Sequence, residues 1–236
     1  QRSLGMKIPQ QQPITMPEFA LCNIESQKIY EDFESYRGDY GPYMKDNPWI
    51  AINMWRSDFL SEQLTHFKAY ASQFEENGFN VLFYYGYPQK EDAEKLFYNT
   101  NKQLVPEVIL AQAAWLGANP RQNRELFEKL GIPVINMVQV NQTAEEWMGN
   151  DKGVDIYKRT SSLNIPEQMG MVQPIVTSSK EMVNPSAQWT EKRSILFQVK
   201  RLLKRVQKMH VLQNKPNDQK QIAVIYYSHP PGKELL

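Results

Sequence analysis

A change of hydrophobic period between residues 49 and 78 constrains this chain more than any other feature. Residues 49–55, WIAINMW, form a short apolar run behind the stop signal Asn47-Pro48, the pattern of a buried strand. Leu64, Phe67, Ala71 and Phe74 then fall at helical spacing, with Ser61 as the expected N-cap and Gly78 as the C-terminal glycine. A polar turn, Arg56-Ser57-Asp58, joins the two. A strand feeding a helix opens a βαβ unit, and the turn at such a strand's carboxyl end is where open α/β sheets usually meet ligands.

The alternation continues. Strands are predicted at residues 80–87, 105–111, 132–140 and 171–177, and helices at 91–99 and 121–130, the latter closed by Gly131. Short helices are predicted at 143–149 and 155–163. Strands alternating with helices imply a three-layer α/β fold of Rossmann or flavodoxin-like type, with a mainly parallel sheet and right-handed crossovers.

Three regions follow. Residues 1–47 form an N-terminal extension and linker: an irregular lead-in with Gln10-Gln11-Gln12, a short helix carrying Ile29, Phe33 and Tyr36, and a loop rich in Gly, Pro and Tyr. The α/β domain occupies 48–213. Residues 214–236 hold a sixth strand at 221–228 and the turn His229-Pro230-Pro231-Gly232-Lys233, where a following segment is expected to begin. The longest predicted helix, 190–212, has an apolar stripe of Ile195, Val199, Leu202, Leu203, Val206 and Met209. Its remaining surface is basic, including Lys192, Arg193, Lys200 and Arg201, and reads either as a docking face or as a solvated one.

Composition removes several classes of function. A hydrophobic content of 41% with 22% charged residues is that of an ordinary globular chain. A net charge of +1 gives no general attraction to nucleic acid or to an anionic membrane. The single cysteine, Cys22, excludes an internal disulfide, and no apolar run reaches the roughly 20 residues that span a bilayer. The dinucleotide, P-loop, serine-elbow and zincin motifs are all missing.

Candidate site residues therefore come from placement. Arg56 and Ser57 follow the first strand, and a guanidinium there can clasp a carboxylate or pair with Asp58 or Glu62. Tyr85 closes the second strand and Trp115 lies in the loop after the third; each could lie along a flat ligand or pack in the core. His229, at the end of the sixth strand, is a weak metal candidate as well as a turn residue. His66 and His210 fall within predicted helices, as surface or boundary residues.

Four stretches carry a family resemblance: WIAINMWRSDFLSE, NGFNVLFYYGYP, the run from VPEVILAQAAWLG through LGIPVINMVQVNQTAEEW, and KPNDQKQIAVIYYSHPPGK. In this order and spacing they resemble the CobN-like family, the porphyrin-binding large subunits of cobaltochelatase and magnesium chelatase, over residues 29–233. The resemblance implies an amino-terminal fragment of a much larger ligase-type subunit, inactive alone, that acts in metal insertion into or removal from a tetrapyrrole. The macrocycle would be of cobalamin, chlorophyll or haem type, the metal cobalt, magnesium or iron. Its implied partners are the remainder of the subunit and an ATPase assembly, and its implied location is cytoplasmic, or periplasmic or membrane-associated in a haem-uptake system. The fragment would supply one wall of a tetrapyrrole cleft, with Arg56, Ser57, Tyr85, Trp115 and His229 near it. Two other classes remain open: a small-ligand binding domain, and a structural arm that docks through helix 190–212. A broad apolar slot favours tetrapyrrole, whereas a compact polar pocket favours a small solute.

Overall fold

The structure is a computed structural model and describes residues 15–112, 119–186 and 189–224. Two short strands, β1 (Ala20–Cys22) and β2 (Ile29–Tyr30), precede helix α1 (Phe33–Asp39). The repeating part then runs β3 (Trp49–Met54), α2 (Arg56–Leu60), α3 (Thr65–Glu75), β4 (Asn80–Tyr85), α4 (Ala93–Phe97), β5 (Pro106–Ala111), α5 (Pro120–Leu130) and β6 (Val134–Gln139). Helices α6 (Ala144–Met148), α7 (Ile156–Arg159) and α8 (Ile165–Gln168) lead to β7 (Val172–Asn184), β8 (Trp189–Ser194) and α9 (Leu196–Asn214).

All eight strands join one sheet in the order β2-β1-β4-β3-β5-β6-β7-β8. The five strands from β4 to β7 are mutually parallel, while β1, β2 and β8 pair antiparallel at the two edges. Numbered along the chain, the parallel core has the flavodoxin order 2-1-3-4-5. The chain adds β4 on one side of β3, then crosses back to add β5, β6 and β7 on the other. That reversal leaves a crevice between the carboxyl ends of β3 and β5.

Because both faces are covered, β3 and β4 are buried at every position. One layer packs α2, α3 and α9 on the sheet through Phe59, Phe67, Tyr70, Phe74, Val199 and Leu202. The other packs α1, α4 and α5 through Tyr36, Leu96, Phe97, Leu126 and Leu130. A fully buried ring such as Phe67 contributes about 1.5–3 kcal/mol. The loop before β3 is tied down by Asn80, whose amide donates to the carbonyls of Met44 and Asn47 and accepts from the Met44 N–H. The tyrosines ahead of it are packing anchors: Tyr36 of α1 donates to Val81 O at 2.8 Å and Tyr40, at the end of α1, to Glu75 Oε1 at 2.6 Å.

Several expectations change in three dimensions. The lead-in supplies β1 and β2, so residues 20–22 belong to the sheet rather than to an irregular cover, and Ile29 lies in β2 rather than on the short helix. Arg56-Ser57-Asp58 is the first turn of α2 rather than a loop, held by Asp58 N–H and Phe59 N–H to Trp55 O. Ser61 ends that helix, its hydroxyl donating to Ser57 O at 2.7 Å, instead of capping the next one. Residues 190–194 are not helical: they pair with β7 after the turn at Pro185-Ser186. β7 accordingly runs to Asn184, past the predicted end at 177. Residues 221–224 have no regular structure, and Ile222 and Val224 are exposed; the rest of the expected sixth strand lies outside the described residues.

Candidate functional site

At the carboxyl end of the parallel strands lies a cavity of about 250 Å3. Trp55 and Ser57 line it from the end of β3 and the start of α2, Gln112 from the end of β5, and Asn136, Met137, Val138 and Gln139 from β6. Lys158 and Ser162 close one side from α7 and the wide π turn behind it. Lys180 and Lys192 close another, from β7 and β8. The cavity thus sits at the topological switch point, and three lysines line it without a carboxylate.

The lysines have unequal partners. Lys192 Nζ lies 2.5 Å from Asp58 Oδ1, and this pair is nearly inaccessible. Lys158 Nζ donates to Gln139 O at 2.8 Å. Among the described residues, no carboxylate comes within ion-pair distance of Lys158 or Lys180. Burial lowers the affinity of Lys158 for its proton, and repulsion from Lys180 and Lys192 adds to this against the pull of Asp155. Burial raises the Asp58 carboxyl above the usual range, with Lys192 working against it.

Below the cavity runs a buried polar seam. The His66 ring meets Tyr70 edge-on at 5.7 Å, and Thr177 and Ser178 of β7 lie under the Tyr70 hydroxyl. Gln112 faces His66 outside hydrogen-bonding geometry while donating to Gln139 Oε1 at 3.0 Å. Burial, followed by the nearby Lys192 charge, lowers the His66 pKa to about 3, so the ring is neutral. The same burial raises Tyr70 to about 12. His66 is therefore a core residue, not the surface or boundary residue expected from its helix.

The residues singled out from sequence are dispersed. Ser57 lines the cavity. Arg56 is half-buried and donates from Nη2 to Met16 O at 2.9 Å, turned toward the N-terminal segment. Tyr85 is fully buried and stacks on Phe59 at 5.4 Å. Trp115 and His229 lie outside the described residues. Among the described residues, no group of three or more His, Cys, Asp and Glu side chains could hold a metal. No described helix is long and apolar enough to cross a membrane.

Sequence reasoning missed Lys158, Lys180, Gln112, Asn136 and Gln139, and assigned Lys192 to a helix face. One signal was available: Asn184-Pro185-Ser186 between two polar-apolar runs marks a hairpin, which would have brought Lys180 and Lys192 together.

Two other hollows are less suited to a polar ligand. A groove of about 480 Å3 between α1 and α3 is lined by Asp39, Tyr40, Lys68 and Glu75, but Tyr40 pairs with Glu75 and Asp39 with Tyr30 and Lys28. A shallow depression along the end of α9 presents Val211 and Leu212 between lysines.

Strand order and cavity position define a flavodoxin-type doubly wound α/β domain with a cation-lined hollow at its switch point. The chain belongs to the CobN/Magnesium Chelatase family, whose model matches residues 1–236. The chloroplastic magnesium-chelatase subunit ChlH of Oryza sativa subsp. indica is 24% identical over 247 residues, covering 97% of this chain and 17% of that protein. Its counterpart from Oryza sativa subsp. japonica matches with the same figures. Among solved structures, the catalytic subunit of cobaltochelatase from Mycobacterium tuberculosis superimposes with a TM-score of 0.60 at 18% identity. That match covers 85% of this chain and 16% of the other, and at such identity it speaks for the fold. The chain thus spans about one sixth of the relatives it matches.

Proposed function

We propose that this chain serves within a chelatase large subunit that acts in inserting a metal into, or removing it from, a tetrapyrrole. The observation that carries the reading is the family match along all 236 residues. Tetrapyrrole and a divalent metal, cobalt, magnesium or iron, are then substrates of the whole subunit. The remainder of that subunit and an ATPase assembly are its partners, and the cytoplasm its location. The chain acts as a scaffold forming one wall of the macrocycle cleft. Ser57 stands at the strand ends, Arg56 beside them braces the N-terminal segment, and Trp115 and His229 complete the candidate set; Tyr85 supports α2 from beneath through Phe59.

The test is a Soret-band titration of this chain, and of the full-length subunit containing it, with metal-free porphyrin and with haem. A saturable shift in the full-length subunit, weakened by Arg56→Ala or His229→Ala, is the expected result. A full-length subunit that shifts neither band would overturn the reading. Binding untouched by both substitutions would remove Arg56 and His229 from the cleft.

A further inference from the structure

We propose that the switch-point cavity is a binding site for a compact dianionic oxyanion, coordinated by Lys158, Lys180 and Lys192. The central observation is a register. Lys180 of β7 and Lys192 of β8 stand directly opposite each other in the antiparallel ladder, and both line the cavity. Like charges in opposed positions destabilise a strand pair, so the placement carries a standing cost unless a counter-charge is held between them. Asp58 supplies one such charge; it pairs at close range with Lys192 and acts on Lys180 only from beyond ion-pair distance. The neighbouring like pair Glu181 and Glu191 differs. Glu181 accepts from Ala144 N–H and the Ser179 hydroxyl, and Glu191 from the Thr65 hydroxyl and Arg193. Lys180 has no such partner among the described residues.

Charge and size name the ligand class. Three cations line the hollow; one is paired with Asp58, and the other two, Lys158 and Lys180, have no carboxylate within ion-pair distance among the described residues, which leaves them to meet a dianionic occupant. Polar side chains line the same space: the Ser57 hydroxyl and the lysine ammoniums, with the Asn136 amide held on Ser162 O at 2.6 Å and the Gln112 amide on Gln139 Oε1 at 3.0 Å. A hollow of about 250 Å3 lies below the roughly 300–1,000 Å3 of pockets for drug-sized ligands. A macrocycle does not enter it. A phosphate or a small dicarboxylate does, and so would a pair of carboxylate arms reaching in from a larger ligand bound outside. The position follows the general rule for open α/β sheets, in which ligands sit beyond the carboxyl ends where strand order reverses. The proposal does not depend on the chelatase reading.

The experiment is calorimetric titration of the purified chain with inorganic phosphate and, separately, with succinate at low ionic strength, alongside thermal melts in each anion. The wild-type chain is expected to bind at least one of the two saturably and to melt higher in its presence. Lys180→Gln and Lys158→Gln should each weaken binding about tenfold, the loss of one charge-assisted hydrogen bond. Lys180→Gln should also melt no lower than wild type without anion, since it removes the opposed charge. Lys200→Gln, on the exposed side of α9, is the control and should bind as wild type does. Phosphate preference points to a free or esterified phosphate, and succinate preference to carboxylates. No saturable binding of either anion, or equal weakening by Lys200→Gln, would overturn the proposal. The porphyrin titration reports separately on the chelatase reading, so the two can fail independently.

Discussion

Lys192 Nζ on β8 meets Asp58 Oδ1 on α2 at 2.5 Å, across 134 residues of chain, and the pair is almost closed to solvent. It joins the edge hairpin to the helix that opens the repeating part of the fold. Removing one partner strands the other in a low-dielectric site, which is where buried pairs show their cost. Asp58→Asn leaves Lys192 facing Lys180 without its counter-charge and should destabilise the chain by about 2–4 kcal/mol in urea unfolding. The double variant Asp58→Asn with Lys192→Met should recover much of that loss. If the double variant is as unstable as the sum of the singles, the pair is not coupled as described.

His66 makes folding acid-sensitive. Its folded pKa, about 3, lies below the ordinary value of 6.5, so the unfolded chain takes up a proton that the folded chain refuses. The stabilisation is complete above pH 6.5 and declines as pH falls toward 3. At pH 4.5, between the two values, the loss is on the order of 2–3 kcal/mol. Urea midpoints at pH 8 and pH 4.5 should therefore separate less in His66→Phe than in wild type. Equal separations in both chains would refute this role, because carboxylates such as Asp58 titrate in both and cancel in the comparison.

Gly86 holds the N-terminal lead against the end of β4. Its φ is +81°, and a Cβ there would lie 2.1 Å from the carbonyl oxygen of Glu18. Gly86→Ala adds left-handed strain of about 1–2 kcal/mol to a clash with backbone that cannot turn aside. The expected cost is about 2–4 kcal/mol by chemical denaturation, with residues 15–19 becoming the first to lose amide protection in hydrogen exchange. An unchanged midpoint would mean that this approach is not made in solution.

His210 on α9 and Glu107 on β5 are joined at 2.5 Å, with both side chains about one third exposed. Solvent screening limits such a pair, so a double-mutant cycle between His210→Ala and Glu107→Ala should return a coupling of about 0.5–1 kcal/mol. A coupling indistinguishable from zero would reduce the contact to coincidence.

Much of the scaffold was legible in the sequence because its signals are local. The apolar run at Trp49–Met54, the 3.6-residue spacing of Leu64, Phe67 and Phe74, and the glycine after Leu130 each report on neighbours within a few residues. Gly131, at φ +64°, ends α5 as its position after the last periodic residue required. The period failed at residues 190–194. Lys192 and Arg193 continue the helical wheel of Ile195 to Val206 without a break, yet their backbone pairs with β7. Strand pairing is a contact between distant segments, and local spacing cannot report it.

The sequence by itself determined the alternation of strands and helices, the covered parallel sheet and the turn at Arg56–Asp58 as a strand's end, because burial of periodic apolar faces admits few other arrangements. Only the tertiary structure decided which side chains meet there. Ser57, Gln112, Asn136, Lys158, Lys180 and Lys192 come from six places in the chain and share one hollow because the chain crosses back after β4 to set β5 beside β3, and the β7–β8 hairpin extends past the end of β6. Crossing order and register are set by long-range pairing, and charge leaves no periodic trace of the partner it will face.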